Sequence, residues 1–213
     1  MKSVLCYGDS NTWGAATVDR PDRRYGPDER WPGVLRASLG ADWLVVEEGL
    51  GGRTTVNDDP VEGIEKNGHT YLLPCLLSHK PLDVVVIMLG TNDLKARFNK
   101  TAWEIAAGVG KLVDVVKTTP EIGRSGRHPQ ILVVCPPPTQ ADLKEYADLF
   151  AGAPAKSREL AKHYRKIAET AAVRLLDAGT VIKSSVVDGF HLDPDAHLAL
   201  GRAIAAEISG IAA

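Results

Sequence analysis

The sequence predicts an α/β protein built on a five-stranded, all-parallel sheet with helices on both faces. Short apolar, β-favouring runs alternate with stretches of helical spacing along the chain, the order that yields a parallel sheet with right-handed crossovers. The run from Asp83 through Val84, Val85, Val86, Ile87 and Met88 to Leu89 is continuous and apolar, as a central strand buried on both faces should be. Several of these runs stop abruptly in small polar or glycine-rich turns, and open α/β sheets bind ligands beyond the carboxyl ends of their strands.

The first strand is Ser3-Val4-Leu5-Cys6-Tyr7, closed by Gly8, which lets the backbone turn sharply. Ser10 then stands just past a strand end, and the polar run Ser10-Asn11-Thr12 suits a cap for the next element. A proline-punctuated stretch leads to a helix over residues 30–39, stopped by Gly40. Trp43-Leu44-Val45-Val46-Glu47 is the second strand and runs into the turn Gly49-Leu50-Gly51-Gly52-Arg53. Residues 71–77 supply a crossover helix despite Pro74, and the third strand ends in Gly90-Thr91-Asn92-Asp93. Thr101 with Glu104 spells a capping box for a helix to about Lys117, with Ile105, Val109, Leu112 and Val116 on one face. Residues 130–135 form the fourth strand, stopped by Pro136, Pro137 and Pro138; a helix over about 155–172 precedes the fifth, at 173–177. The last helix starts at Pro194 behind Asp193 as N-cap and reaches about Ser209. No repeat, low-complexity tract or linker intervenes, so residues 1–213 are expected to form one domain.

Composition narrows the classes of function. With 213 residues, 44% hydrophobic, 24% charged and a formal net charge of -2, the chain has a soluble globular profile with no bias toward nucleic acid. Cys6, Cys75 and Cys135 share no Cys-x-x-Cys spacing and leave an odd thiol, which argues against a disulfide framework or a zinc site and for core thiols in a reducing compartment. The first apolar run ends by Tyr7, too short for a secretory signal, and no run nears the roughly 18 apolar residues of a membrane span. The expectation is a cytoplasmic protein without cofactor, metal, membrane or nucleic-acid partner.

In a parallel sheet all strand exits lie on one edge, so Ser10, Gly52, Asn92 and the later stretch Asp188-Gly189-Phe190-His191 can meet. Acyl transfer needs a nucleophile, a base, a group that fixes the base's tautomer, and donors aimed at the oxyanion. Ser10 can be the nucleophile and His191 the base, with Asp188 three residues earlier placed to receive its Nδ1–H. The backbone N–H groups of Ser10 and Gly52 and the Asn92 side-chain amide can form the oxyanion hole.

These residues resemble the SGNH (GDSL-type) hydrolase family, whose four motifs occur in order: Gly8-Asp9-Ser10, the turn ending at Gly52, Gly90-Thr91-Asn92-Asp93, and Asp188-Gly189-Phe190-His191. The resemblance implies a flavodoxin-like three-layer α/β/α sandwich, Ser10 as nucleophile, Ser10, Gly52 and Asn92 as oxyanion donors, and Asp188 and His191 as acid and base. The longer stretch from Gly8 to Gly14 with Trp13, and Glu48-Gly49-Leu50, are most similar to the bacterial arylesterase and acyltransferase branch. That likeness implies hydrolysis of short-chain aryl and alkyl esters, acyl transfer to alcohols or hydrogen peroxide, and a homo-oligomer. Arg53 stands where many family members have Asp, which bears on the substrate-facing details of that turn.

Other residues receive plainer readings. His163 and His197 are expected to be partly exposed helix residues, Asp9 and Asp93 to order turns, and Trp13, Trp31 and Phe190 to be core or pocket wall. Gly123-Arg124-Ser125-Gly126 resembles a nucleophile elbow but precedes a strand, at the wrong edge. The long stretches 20–32 and 136–154 are expected to shape the pocket mouth and subunit contacts. Two alternatives compete with a serine esterase acting on a small ester: a metal-dependent phosphoesterase using Asp9, Asn92, Asp93 and His191, and a non-catalytic flavodoxin-like binding domain.

Overall fold

A computed structural model describes residues 1–17 and 23–211. Five parallel strands, β1 (Lys2–Gly8), β2 (Trp43–Gly49), β3 (Val84–Met88), β4 (Gln130–Cys135) and β5 (Arg174–Asp177), lie in the order β2-β1-β3-β4-β5. This is the flavodoxin-like order, whose switch point falls between the first and third strands. The chain leaves β1 toward β2 on one side and leaves β3 toward β4 on the other, so a crevice opens between the ends of β1 and β3.

Strand alternation sorts the core into two layers. Leu5, Tyr7, Val85, Ile87, Ile131 and Val133 face one side, where α3 (Gly68–His79), α4 (Ala102–Thr118) and α5 (Ala153–Ala171) cover them. Val4, Cys6, Val84, Val86, Leu132 and Val134 face the other, under α2 (Trp31–Leu39) and α6 (Pro194–Ile211). The central β3 is buried along its whole length, as its uninterrupted apolar run requires. The Thr101–Glu104 capping box forms, and Pro74 sits inside α3. The segment Arg124–Gly126 is a single 3₁₀ turn ahead of β4, and Arg124 pairs with Asp83 at the start of β3, the edge opposite the strand exits.

Two local readings are corrected. Ser10-Asn11-Thr12 does not cap the structure after it; it is itself a one-turn helix, α1 (Ser10–Trp13), and the cap is Asp9, whose carboxylate accepts the Asn11 N–H at 2.9 Å. Asp is among the best N-caps, and here it directly follows the last residue of a strand. His197 is not partly exposed but fully buried between α2 and α6, accepting the Trp31 N–H through Nδ1 at 3.1 Å. It falls on the stripe continued by Leu200, Ile204 and Ile208, all at 0% exposure, so the helical spacing already placed it inward.

Burial pushes the His197 imidazole down from 6.5 to about 4. A buried neutral His binds its proton later than the unfolded chain does, so stability is lost as pH falls from its unfolded value toward about 4. Asp9, raised to about 6, works in the opposite direction, its contribution being lost as pH rises through that value. Comparing wild type with His197→Asn, which keeps an acceptor for Trp31 and does not titrate, cancels the Asp9 effect. Between roughly neutral pH and pH 4, wild type should lose about 3 kcal/mol more than the variant, read by urea unfolding at several pH values. Parallel pH dependences in the two proteins would refute the assignment.

Candidate active site

The exits of β1, β2 and β3 meet the loop after β5 at the switch point. Gly8 closes β1 where no side chain fits: a Cβ there would lie 2.0 Å from Thr12 Oγ1 and 2.9 Å from the Met88 carbonyl. The chain then turns through Asp9 and presents Ser10 as the first residue of α1. Asp9 is 2% exposed, and burial pushes its carboxyl up to about 6 against the Asn11 hydrogen bond and the nearby His191.

The loop after β5 is folded by one carboxylate. Asp188 Oδ1 accepts the N–H groups of Phe190 at 3.1 Å and His191 at 3.0 Å, and Oδ2 lies 2.7 Å from His191 Nδ1. Burial pushes the Asp188 carboxyl up, but the His191 hydrogen bond and charge, with the two backbone donors, outweigh it and hold it below the usual carboxylate range. With Nδ1–H directed at Asp188, Nε2 is the acceptor, and it lies 2.9 Å from Ser10 Oγ. Residues 181 positions apart thus share one hydrogen bond.

The turn after β2 is stitched to the turn after β3. Asn92 Nδ2 donates to the Arg53 carbonyl at 3.1 Å. The buried Asp93 carboxylate accepts the Thr55 N–H at 3.0 Å, Thr55 Oγ1 at 2.6 Å and Asn57 Nδ2 at 2.7 Å; burial raises its pKa against these bonds. Gly52 has φ +80°, a left-handed conformation that calls for glycine whatever the space around it. Among the described residues no hydrogen bond takes up the backbone N–H of Ser10 or Gly52.

Arg53 faces away from the site expected of it. Its side chain is 2% exposed and absent from the wall of the Ser10 pocket. The Nη1 group donates to the Gly8 carbonyl at 2.8 Å and also to the Glu48 carbonyl, and the guanidinium lies 4.3 Å from the centre of the Tyr7 ring. Arg53 therefore ties the end of β1 to the end of β2 behind the glycine turn and borders a second cavity with Glu48 and Tyr71 rather than the Ser10 pocket.

Ser10, Gly52, Asn92 and His191 all line one pocket of about 290 Å³. Its apolar wall comes from Trp13, Phe190 and the stretch 136–154, which contributes Tyr146, Leu149 and Phe150. Phe190 packs edge-on to Tyr146 at 5.1 Å and against the His191 ring at 4.3 Å, so the wall also supports the imidazole. The polar wall is Glu62 and Lys95, 2.5 Å apart, with Lys95 only 3% exposed; Arg97 shares the Glu62 carboxylate. Sequence reading placed the serine, glycine, asparagine, aspartate and histidine but missed Lys95 and Glu62, which sit in no motif; the stretch 20–32 lies partly outside the described residues.

The ligand set required by the phosphoesterase alternative is otherwise engaged. Asp93 is spent on Thr55 and Asn57, and both His191 nitrogens are spent on Asp188 and Ser10. What remains can move a proton from a hydroxyl to an imidazole braced by a carboxylate, beside two free backbone donors.

Comparison with known proteins agrees with this chemistry. Residues 6–199 match the model of the GDSL-like Lipase/Acylhydrolase family. A carbohydrate acetylesterase from Sinorhizobium meliloti superposes with a TM-score of 0.94 at 42% identity, covering 99% of this chain and 100% of that one. The inhibitor-bound aryl esterase of M. smegmatis superposes with a TM-score of 0.93 at 43% identity, covering 99% of each chain. A lipase/acylhydrolase from Enterococcus faecalis, at 20% identity and a TM-score of 0.69 over 99% of this chain and 97% of that one, shares the fold. The curated proteins gave no match.

Proposed function

Because the chain belongs to the GDSL-like lipase/acylhydrolase family and is a carboxylic ester hydrolase, we propose that Ser10, His191 and Asp188 act as nucleophile, general base and orienting acid in a two-step reaction on short-chain esters. Ser10 Oγ attacks the ester carbonyl while His191 Nε2 takes its proton; the imidazolium is stabilised by Asp188 and then protonates the leaving alcohol. The oxyanion is received by the N–H groups of Ser10 and Gly52 and by Asn92 Nδ2. Water, an alcohol or hydrogen peroxide, deprotonated by His191, releases the acyl group from Ser10. The observation that carries the reading is the unbroken relay from Asp188 to His191 at 2.7 Å and from His191 to Ser10 at 2.9 Å.

The pocket argues for small substrates. About 290 Å³ lies at the lower end of ligand-sized cavities, and the Phe150 and Phe190 rings, 4.8 Å apart, pack against each other in its wall. Glu62 and Lys95 offer partners to hydroxyl groups, so acetyl esters of polyhydroxylated alcohols belong beside aryl acetates as candidates. A kinetic panel of aryl and alkyl esters of increasing acyl length, with and without a competing alcohol, should show kcat/KM falling steeply beyond short acyl chains and part of the product appearing as the new ester. A serine-directed fluorophosphonate should abolish turnover and EDTA should leave it unchanged. Loss with EDTA alone, or indifference to every ester, would refute the reading.

Residues 1–213 are read as one catalytic domain that assembles as a homo-oligomer in the cytoplasm. Support for assembly is the apolar face that Leu73 and Leu77, one turn apart on α3, present, each more than two-fifths exposed. The compartment is supported by three unpaired cysteines, all buried. No helix among the described residues is long and apolar enough to cross a membrane.

A further inference from the structure

Away from the Ser10 pocket, three side chains of metal-ligand type converge from two elements. Glu48 lies near the end of β2, and Cys75 and His79 lie four residues apart on one face of α3. A carboxylate oxygen, the thiol sulfur and an imidazole nitrogen all lie within 4.8 Å of one another, with His79 Nε2 2.8 Å from Glu48 Oε1. Among the described residues no other trio of such groups approaches as closely. None of the three lines the Ser10 pocket.

We propose that Glu48, Cys75 and His79 bind a divalent ion of the zinc class, with water as the fourth ligand. Tetrahedral zinc with sulfur, nitrogen and oxygen ligands spaces its donor atoms roughly 3–4 Å apart, so the widest pair has about 1 Å to close. The Glu48 and His79 side chains, 20% and 32% exposed, have room to make that adjustment. Cys75, at 1% exposure, forms the buried floor, so the ion enters from the His79 side and keeps its open position toward solvent. A thiolate and an imidazole select zinc over magnesium or calcium, which seek oxygen ligands.

Charge and proton balance both close. The carboxylate and thiolate together neutralise the dication, and the nearby Arg53 guanidinium is held against the Tyr7 and Tyr71 rings at 4.3 and 5.4 Å. Coordination exchanges the Cys75 S–H bond for a sulfur–metal bond and passes the proton to the buffer. His79 gives up its hydrogen bond to Glu48 and carries its ring proton on Nδ1.

The test is a titration of the metal-free protein with Co²⁺, a spectroscopic stand-in for Zn²⁺. One equivalent should raise the visible bands of tetrahedral Co²⁺ and a near-ultraviolet thiolate-to-cobalt band, both erased by Zn²⁺. Cys75→Ser should remove the near-ultraviolet band. His79→Gln, at a partly exposed position that does not threaten the fold, should weaken binding by at least about tenfold. Absence of the thiolate band in folded wild type, or unchanged affinity in His79→Gln, would overturn the proposal. No ester is present, and Ser10→Ala protein should bind Co²⁺ like wild type, so this result stands or falls apart from the esterase mechanism.

Discussion

Ser10→Ala is expected to lower kcat for p-nitrophenyl acetate by about 10⁴–10⁶-fold, by analogy with the loss of a nucleophile that acts as one unit with its base. Among the described residues the only side-chain hydrogen bond of the Ser10 hydroxyl is to His191 Nε2, so its removal takes away the proposed nucleophile and little else. The α1 turn is held instead by Asp9 and by the Gly14 N–H on the Ser10 carbonyl, which the substitution leaves in place. Urea midpoints should therefore be nearly unchanged. His191→Ala should cost a similar factor, and the double variant hardly more than either, because a base without its nucleophile has no proton to take. Covalent labelling by a fluorophosphonate should disappear in Ser10→Ala. Turnover at wild-type rate in that variant would end the assignment of Ser10 as nucleophile.

The sequence carries the fold and most of this site for a physical reason. A buried parallel strand must be apolar throughout and must end where the chain leaves the sheet, so 84–88 and the glycine stops after 7 and 89 are visible without coordinates. Once the strands are taken as parallel, their exits share an edge, and the meeting of Ser10, Gly52, Asn92 and His191 is a consequence. Direction of a side chain is harder to read. Arg53 occupies a motif position, yet the carbonyls of Gly8 and Glu48 and the Tyr7 ring draw it inward, and no local pattern encodes such distant partners. Lys95 and Glu62 meet through a loop and a turn 33 residues apart, with no periodicity to announce them. The Cys75–His79 spacing was available on α3, but a search for paired cysteines passes over a single thiol whose third companion, Glu48, comes from a strand. His197 was legible: its register with Leu200 and Ile204 outweighs the expectation that a helical histidine faces water.

Asn92→Ala should reduce kcat by about 10²–10³-fold with KM little altered, the signature of a donor used in the transition state more than in the ground state. Asn92 Nδ2 has two hydrogens; one is committed to the Arg53 carbonyl at 3.1 Å, and the second is available to the pocket that Asn92 lines beside Ser10 and Gly52. That commitment fixes the amide before substrate arrives, so no reorganisation is needed as charge develops on the carbonyl oxygen. It also means that the variant loses a buried hydrogen bond, which should cost about 1 kcal/mol of stability. Unfolding measurements and assays well below Tm separate this loss from the catalytic one. Asn92→Asp should be at least as damaging to kcat, because a carboxylate presents acceptors both to the Arg53 carbonyl and to the oxyanion. Acylation and deacylation each pass through an oxyanion, so both steps should slow and pre-steady-state bursts should keep comparable amplitude while both phases lengthen. A change in KM alone, with kcat within about threefold of wild type, would place Asn92 in ground-state binding and leave the oxyanion to Ser10 and Gly52.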